Sequence, residues 1–342
     1  MKKFVWFIAT FVALLLALPV GATYQDDGEV VIANRGSGSI SVIDVHTNAV
    51  SQTIALPAGG NTPEPMYVTY SSRGNHVFVG DRANNRVVVY DADNFSLVTT
   101  IPTGAGVFHM WSDPRDLQLW VNNDIDNTAT VINPRNLSVI TTVDMPADLV
   151  AAGMKPHDVI LDPTGRYAYV TLVGGGGTHD YLVQYNTRTF TEVNRVPVGK
   201  DPHVSLTSAN NLIYVPAQNS NIVSVFNRYT LAPVTNINVP GAHGAGMAAK
   251  GQVFYTTNLP NGGTDGLFAI DTADNSVIGS TDTPFAVPHN IAVTNSNSLF
   301  VTHSGGTANK VTTYTISAAN PVPSYLMDVT VGLNPFGLVF VP

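Results

Sequence analysis

The chain of 342 residues contains no cysteine, which excludes disulfides, thiolate metal sites, iron–sulfur clusters and covalently attached haem. Charge is scarce as well. Charged side chains make up 12% against 44% hydrophobic, a balance too apolar for a disordered chain. Sixteen Lys and Arg against twenty-four Asp and Glu give a formal charge of −8, which argues against a nucleic-acid groove or a polybasic membrane anchor. Long helices are not expected either, because 29 Gly and 22 Pro punctuate the sequence throughout. The nucleophile elbow G-x-S-x-G, the P-loop, G-x-G-x-x-G, H-E-x-x-H and a thiol nucleophile are all missing.

What is present begins with an address. Lys2 and Lys3 precede an apolar run from Phe4 to Leu18, followed by Pro19, Val20, Gly21 and Ala22. The run is shorter than the roughly twenty residues of a spanning helix. A charged start, an apolar stretch and a small-residue exit instead predict a secretory signal peptide over residues 1–22, cleaved after Ala22. The mature chain, 23–342, is expected to be periplasmic or secreted, with no membrane contact after cleavage.

Beyond residue 22, short runs rich in Val, Ile, Tyr and Phe alternate with Asn, Gly, Asp and Pro clusters, the pattern of strands and turns. The runs recur as a unit. One strand ends in a polar cluster, as in Phe78-Val79-Gly80-Asp81, Tyr169-Val170-Thr171 and Phe300-Val301-Thr302-His303. An alternating strand ending in Asp or Asn follows, as in Ser41-Val42-Ile43-Asp44, Val88-Val89-Tyr90-Asp91 and Thr130-Val131-Ile132-Asn133. A third strand leads into Pro or Gly, and a fourth opens at Pro65, Pro156, Pro202, Pro288 or Pro335. Four short strands repeating about every 40 to 50 residues mark a β-propeller blade. Seven such units fit, so the expected fold is all-β, a single seven-bladed propeller over 23–342. The first unit lacks its opening strand, and Pro335–Val341 supplies one. The C-terminal strand is therefore expected to pair into the first blade and close the ring. These repeats resemble the YVTN family of seven-bladed propellers, which includes periplasmic YncE-like proteins.

The residues after each opening proline, or its aligned equivalent, form a column: Met66, His109, His157, His203, His243, His289 and Phe336. Five histidines in one column, from nine in the chain, is not a random scatter. The opening strand of a blade is innermost, so the column faces the central axis at one channel mouth. Imidazoles without thiolates suit copper, zinc, iron or nickel. Met66 adds a thioether, which tilts the expectation to copper, and His303, ending a second strand at the same mouth, is a further candidate ligand. Asp158 and Asp201, next to His157 and His203, are candidate orienting partners and also ordinary turn residues. His179 reads as a solvated loop residue; His46 and His76 fall elsewhere in the blade pattern.

The histidine ring resembles the hub of the nitrous oxide reductase propeller, and is similar to those of thiocyanate dehydrogenases and the copper-dependent selenium-binding, methanethiol-oxidase family. That resemblance implies a periplasmic copper protein with redox catalysis as its reaction class and an unnamed small-molecule substrate or electron-transfer partner. A non-catalytic module gripping a peptide, glycan or partner protein through Asn- and Gly-rich mouth loops is the alternative. A lyase or lactonase is the third, as in other propellers. No nucleic acid is expected as a partner, and a monomer or weak oligomer is expected.

Overall fold

Valine, isoleucine and aromatic side chains stack well on a pleated surface, and the repeated runs they dominate form the strands. The computed structural model describes residues 27–203, 205–206, 210–295 and 298–342, so the segment read as a signal peptide lies outside the described residues. Seven four-stranded antiparallel sheets are arranged as blades, each with its strands in sequence order from hub to rim except the first. In blade 1, Pro335–Val341 pairs antiparallel with Glu29–Asn34, followed outward by Ser39–Asp44 and Ala49–Ala55. The ring is thus closed by the C-terminal strand, as the repeat count requires, and Glu29–Asn34 has no bare edge. The inner strands of blades 2 to 7 are Pro65–Ser71, Val107–Ser112, Met154–Leu161, Ser205–Leu206, Ala242–Met247 and Pro288–Val293. Among the described residues no helix is long and apolar enough to cross a membrane.

The core lies between the blades. Met66, Phe78 and Val89 of blade 2 pack against Met110, Leu119 and Val121 of blade 3. Trp120 of blade 3 meets Tyr185 of blade 4 with ring centroids 5.9 Å apart. Each such side chain taken fully out of water contributes about 1.5–3 kcal/mol, and the facing sheets repeat the arrangement around the ring.

The Asp or Asn ending the third strand counted from the hub has a local task. In six blades its side chain accepts backbone N–H groups two or three residues on: Thr47 N to Asp44 (2.7 Å), Asp93 N to Asp91 (3.0 Å), Arg135 N to Asn133 (2.9 Å), Arg188 N to Asn186 (2.9 Å), Tyr229 N to Asn227 (3.0 Å) and Ala273 N to Asp271 (2.8 Å). Such Asx turns reverse the chain into the outermost strand. Each ends four residues later in a left-handed residue, among them Phe95 (φ 55°) and Leu231 (φ 54°). Both are buried, and this burial offsets the backbone cost of about 1–2 kcal/mol.

Candidate metal centre at the propeller hub

The inner strands do not run straight into the channel mouth. In blades 2, 3, 4, 6 and 7 the register slips between Pro65 and Val68, Val107 and Met110, Pro156 and Val159, Ala242 and Ala245, and Pro288 and Ile291. The closing strand slips in the same way between Pro335 and Leu338, where its partner changes from Asn34 to Ile32. A bulge of this kind bends the strand and re-aims side chains. Each bulge sets two residues opposite one on the neighbouring strand, and these two positions recur around the ring as an outer and a second layer, blade 5 contributing His203 without a slip. The outer layer is Met66, Phe108, His157, His203, His243, His289 and Phe336; the second contains Tyr67, His109, Asp158, Gly244, Asn290 and Gly337.

This register corrects the sequence column at one place. His109 belongs to the second layer, and Phe108 takes its slot beside His157, with ring centroids 5.1 Å apart. The reason is that blade 3 opens at Val107, which pairs with Asn123, and not one residue later. His109 packs between Tyr67 (4.4 Å) and Trp111 (6.5 Å) and its Nδ1 meets the Asp158 carboxylate. The expected five converging imidazoles are therefore four: His157–His203 at 4.6 Å, His203–His243 at 3.8 Å and His243–His289 at 4.7 Å between centroids. Phe336 follows at 4.1 Å from His289. Met66 is buried in the core cluster between blades 2 and 3, so its thioether packs there and not among the four imidazoles. His303 is also spoken for. Its Nδ1 faces the Ala286 carbonyl at 3.0 Å and its Nε2 faces Thr312 Oγ1 at 2.9 Å. His179 sits in its loop with Nε2 3.0 Å from Tyr181 Oη, and His76 rests against the Pro134 carbonyl.

Hydrogen-bond partners assign the tautomers. An ionised carboxylate only accepts, so His203 Nδ1 donates to Asp158 Oδ2 (2.9 Å) and its lone pair is on Nε2. His157 Nδ1 faces the Pro202 carbonyl at 3.3 Å, which likewise leaves a lone pair on Nε2. Asn290 Nδ2 donates to His289 Nδ1 (2.8 Å) and to the Phe336 carbonyl (3.2 Å), so His289 keeps its proton on Nε2. His203 Nε2 and both nitrogens of His243 are buried without a hydrogen-bond partner. Each such atom costs about 1–3 kcal/mol unless something binds it.

Burial keeps three imidazoles of the arc neutral. Burial, then repulsion from His203, pushes His157 down to about 4. Burial, then His203 and His157, takes His289 to about 3, and burial with its three neighbours holds His243 well below the usual histidine value. Burial alone would raise Asp158, but His109 and His203 outweigh it and hold the carboxyl well below the usual carboxylate range. At pH 7 His157, His243 and His289 are thus neutral imidazoles, beside the ionised Asp158 carboxylate. Among the described residues, His157, Asp201 and His203 form the set whose ligand atoms all lie within 4.8 Å of one another. Asp201, in the left-handed region at φ 57°, lies 3.9 Å from His157 Nδ1.

Sequence reading missed what supports the bulges. Thr171, Thr257 and Thr302 each accept an N–H of the second layer, from Asp158 (2.9 Å), Gly244 (2.8 Å) and Asn290 (3.1 Å). Thr257 and Thr302 then donate to the carbonyls of His289 (3.1 Å) and Phe336 (2.7 Å) in the next blade. The recurrent threonine in Tyr-Val-Thr and its variants was the available signal. Gly244 is required by close approach, since a Cβ there would lie 1.9 Å from the His289 carbonyl oxygen.

The profile of the family described as "Lactonase, 7-bladed beta-propeller" matches residues 19–232. The chain belongs to this lactonase family. Its fold is shared with the periplasmic gluconolactonase of Pseudomonas aeruginosa, at TM-score 0.71 and 16% identity over 92% of this chain and 99% of that one. A candidate 6-phosphogluconolactonase of Bacteroides uniformis gives 0.70 and 16% over 93% and 100%. The hydrazine synthase of Kuenenia stuttgartiensis gives 0.65 and 14% over 82% and 90%. At these identities the likeness is one of fold. A search of curated proteins finds no match. For this lactonase-family propeller, the sequence resemblance to seven-bladed YVTN repeats holds at the level of architecture.

Proposed function

We propose that this lactonase-family propeller binds a divalent transition metal at its histidine mouth, in the periplasm or outside the cell. His157, His203 and Asp201 are the ligands, with His243 beside them. The observation that carries the reading is the trio of buried imidazole nitrogens, His203 Nε2 and both of His243, that no protein group satisfies. Neutral imidazoles and one carboxylate fit zinc, iron or copper, and among divalent ions copper binds such donors most tightly. Asp158 fixes the His203 ring by accepting from Nδ1, the usual arrangement behind a metal-bound histidine. A bound ion would supply Lewis acidity at the mouth.

The family match favours a second reading at the same mouth, hydrolysis of a cyclic ester. His157 is neutral at pH 7 and partly exposed. It would take a proton from water as the water oxygen attacks the ring carbonyl; the ester C–O bond then breaks and the leaving alkoxide is reprotonated, giving the open hydroxy acid.

Metal analysis of protein matured with copper and zinc, followed by Cu²⁺ titration after chelation, tests the first reading. Near-stoichiometric binding is expected, lost in His203→Ala and in His243→Ala and kept in His46→Ala. No binding in the parent protein overturns it. Gluconolactone hydrolysis that survives chelation and disappears in His157→Ala supports the second reading alone.

A further inference from the structure

On the far side of the histidine layers the channel widens into a chamber of about 610 Å³, within the usual range for small-molecule sites. We propose that this chamber binds a planar aromatic carboxylate carrying a hydroxyl at the end away from the acid.

Four features define the occupant. Trp111 lines the chamber with 36% of its surface exposed, and its indole lies within 20° of parallel to the His109 ring. An exposed indole face beside the half-buried Tyr70, Met247 and Phe340 is a platform for a flat apolar ring. At the inner end two polar atoms lack protein partners. Tyr67 Oη is buried and unpaired, because the neighbouring Asn290 amide spends its hydrogens on His289 and Phe336. His109 sets its Nδ1 against the Asp158 carboxylate and the Val159 N–H, which leaves its Nε2 to meet a ligand. Together they suit one hydroxyl, which can both donate and accept between His109 and Tyr67. At the outer end Lys250 is exposed, and it is the one charged residue among the described lining residues. Among the described lining residues no carboxylate would oppose an anion. From Gly244, level with His109, to Ala248 beside Lys250 is about 13 Å at 3.3 Å per residue, a span for an extended hydroxylated aromatic acid plus part of a lysine side chain.

The site does not depend on a metal at the hub. The wall between the two is the Asp158 carboxylate, which accepts from His203 on one side and from His109 on the other.

Calorimetry with 4-hydroxycinnamate, cinnamate and 4-hydroxycinnamyl alcohol, in the presence of chelator, tests the proposal. Binding of 4-hydroxycinnamate is expected, at least about tenfold weaker in Trp111→Ala. Lys250→Gln should weaken it about two- to fivefold and leave the alcohol unaffected. Tyr67→Phe should weaken 4-hydroxycinnamate about five- to tenfold and leave cinnamate unchanged. Trp111 and Lys250 are surface positions, so these two variants decide the matter even where Tyr67→Phe is poorly folded. No heat at millimolar probe, or binding unchanged in Trp111→Ala, overturns it. Metal binding at the hub is scored separately and stands or falls on its own titration.

Discussion

Acid should begin to destabilise the metal-free protein well above the range in which carboxylates titrate. His157 and His303 are pushed down to about 4 and His289 to about 3, from an ordinary 6.5, in each case with burial as the largest cause. The folded state therefore holds these rings neutral while the unfolded chain takes up protons below pH 6.5. Their stabilisation is complete above that value and is lost as pH falls toward 4 and then 3. Each residue costs about 1.4 kcal/mol per pH unit in this window. At pH 5.5 the three together remove about 4 kcal/mol, with His243 acting in the same direction, against a typical total of about 5–15 kcal/mol. Asp158 behaves oppositely: its lowered pKa stabilises the fold above the unfolded carboxylate value, about 3.9. That contribution stays constant through this window and is lost only at more acid pH. Urea unfolding at pH 7.5, 6.5 and 5.5, with chelator present, measures the slope. His303→Asn removes one buried imidazole outside the stacked hub cluster and should reduce the slope by about a third or somewhat less. A stability that is flat between pH 7.5 and 5.5, or a slope unchanged in His303→Asn, refutes the reasoning.

Two further outcomes follow from packing. Gly244→Ala places a methyl 1.9 Å from the His289 carbonyl oxygen and 2.9 Å from Thr257 Oγ1, so the bulge must shift; a loss of about 1–3 kcal/mol in urea is expected, with weaker Cu²⁺ binding. Deleting residues 335–342 removes the inner strand of blade 1, including buried Leu338 and Val341, and bares Glu29–Asn34. The truncated chain should be insoluble or unfolded by circular dichroism, and a folded soluble product would contradict the pairing.

The blade repeat, the blade number and the closing strand were legible because each rests on local chemistry: β-branched runs, Asx turns such as that of Asp91, and opening prolines. The inward-facing column at the hub was legible except at one position, whereas the ligand roles read for Met66 and His303 were not decided by the sequence. His109 was misplaced because blade 3 opens at Val107, which carries no proline to mark the bulge, and the histidine itself invited alignment. Met66 shares the outer layer with His157, yet its unbranched apolar chain turns into the core between blades 2 and 3, a choice made by packing across 40 or more residues. Asp201 looked like a turn residue, and it is one, at φ 57°. Only the bend that follows it brings its carboxylate within 3.9 Å of His157.

Ring closure also sets the order in which the molecule can be completed. Arg35 N donates to the Asn334 carbonyl and Gly36 N to that of Leu333, contacts between the two ends of the chain. Blades 2 to 7 are each built from neighbouring segments and can assemble as they emerge, whereas Glu29–Asn34 waits for a partner made last. Contacts of such long sequence separation slow folding, so the final docking of Pro335–Val341 should govern the rate at which the finished ring appears. Until then Glu29–Asn34 keeps one unpaired edge, in need of protection while the ring is incomplete.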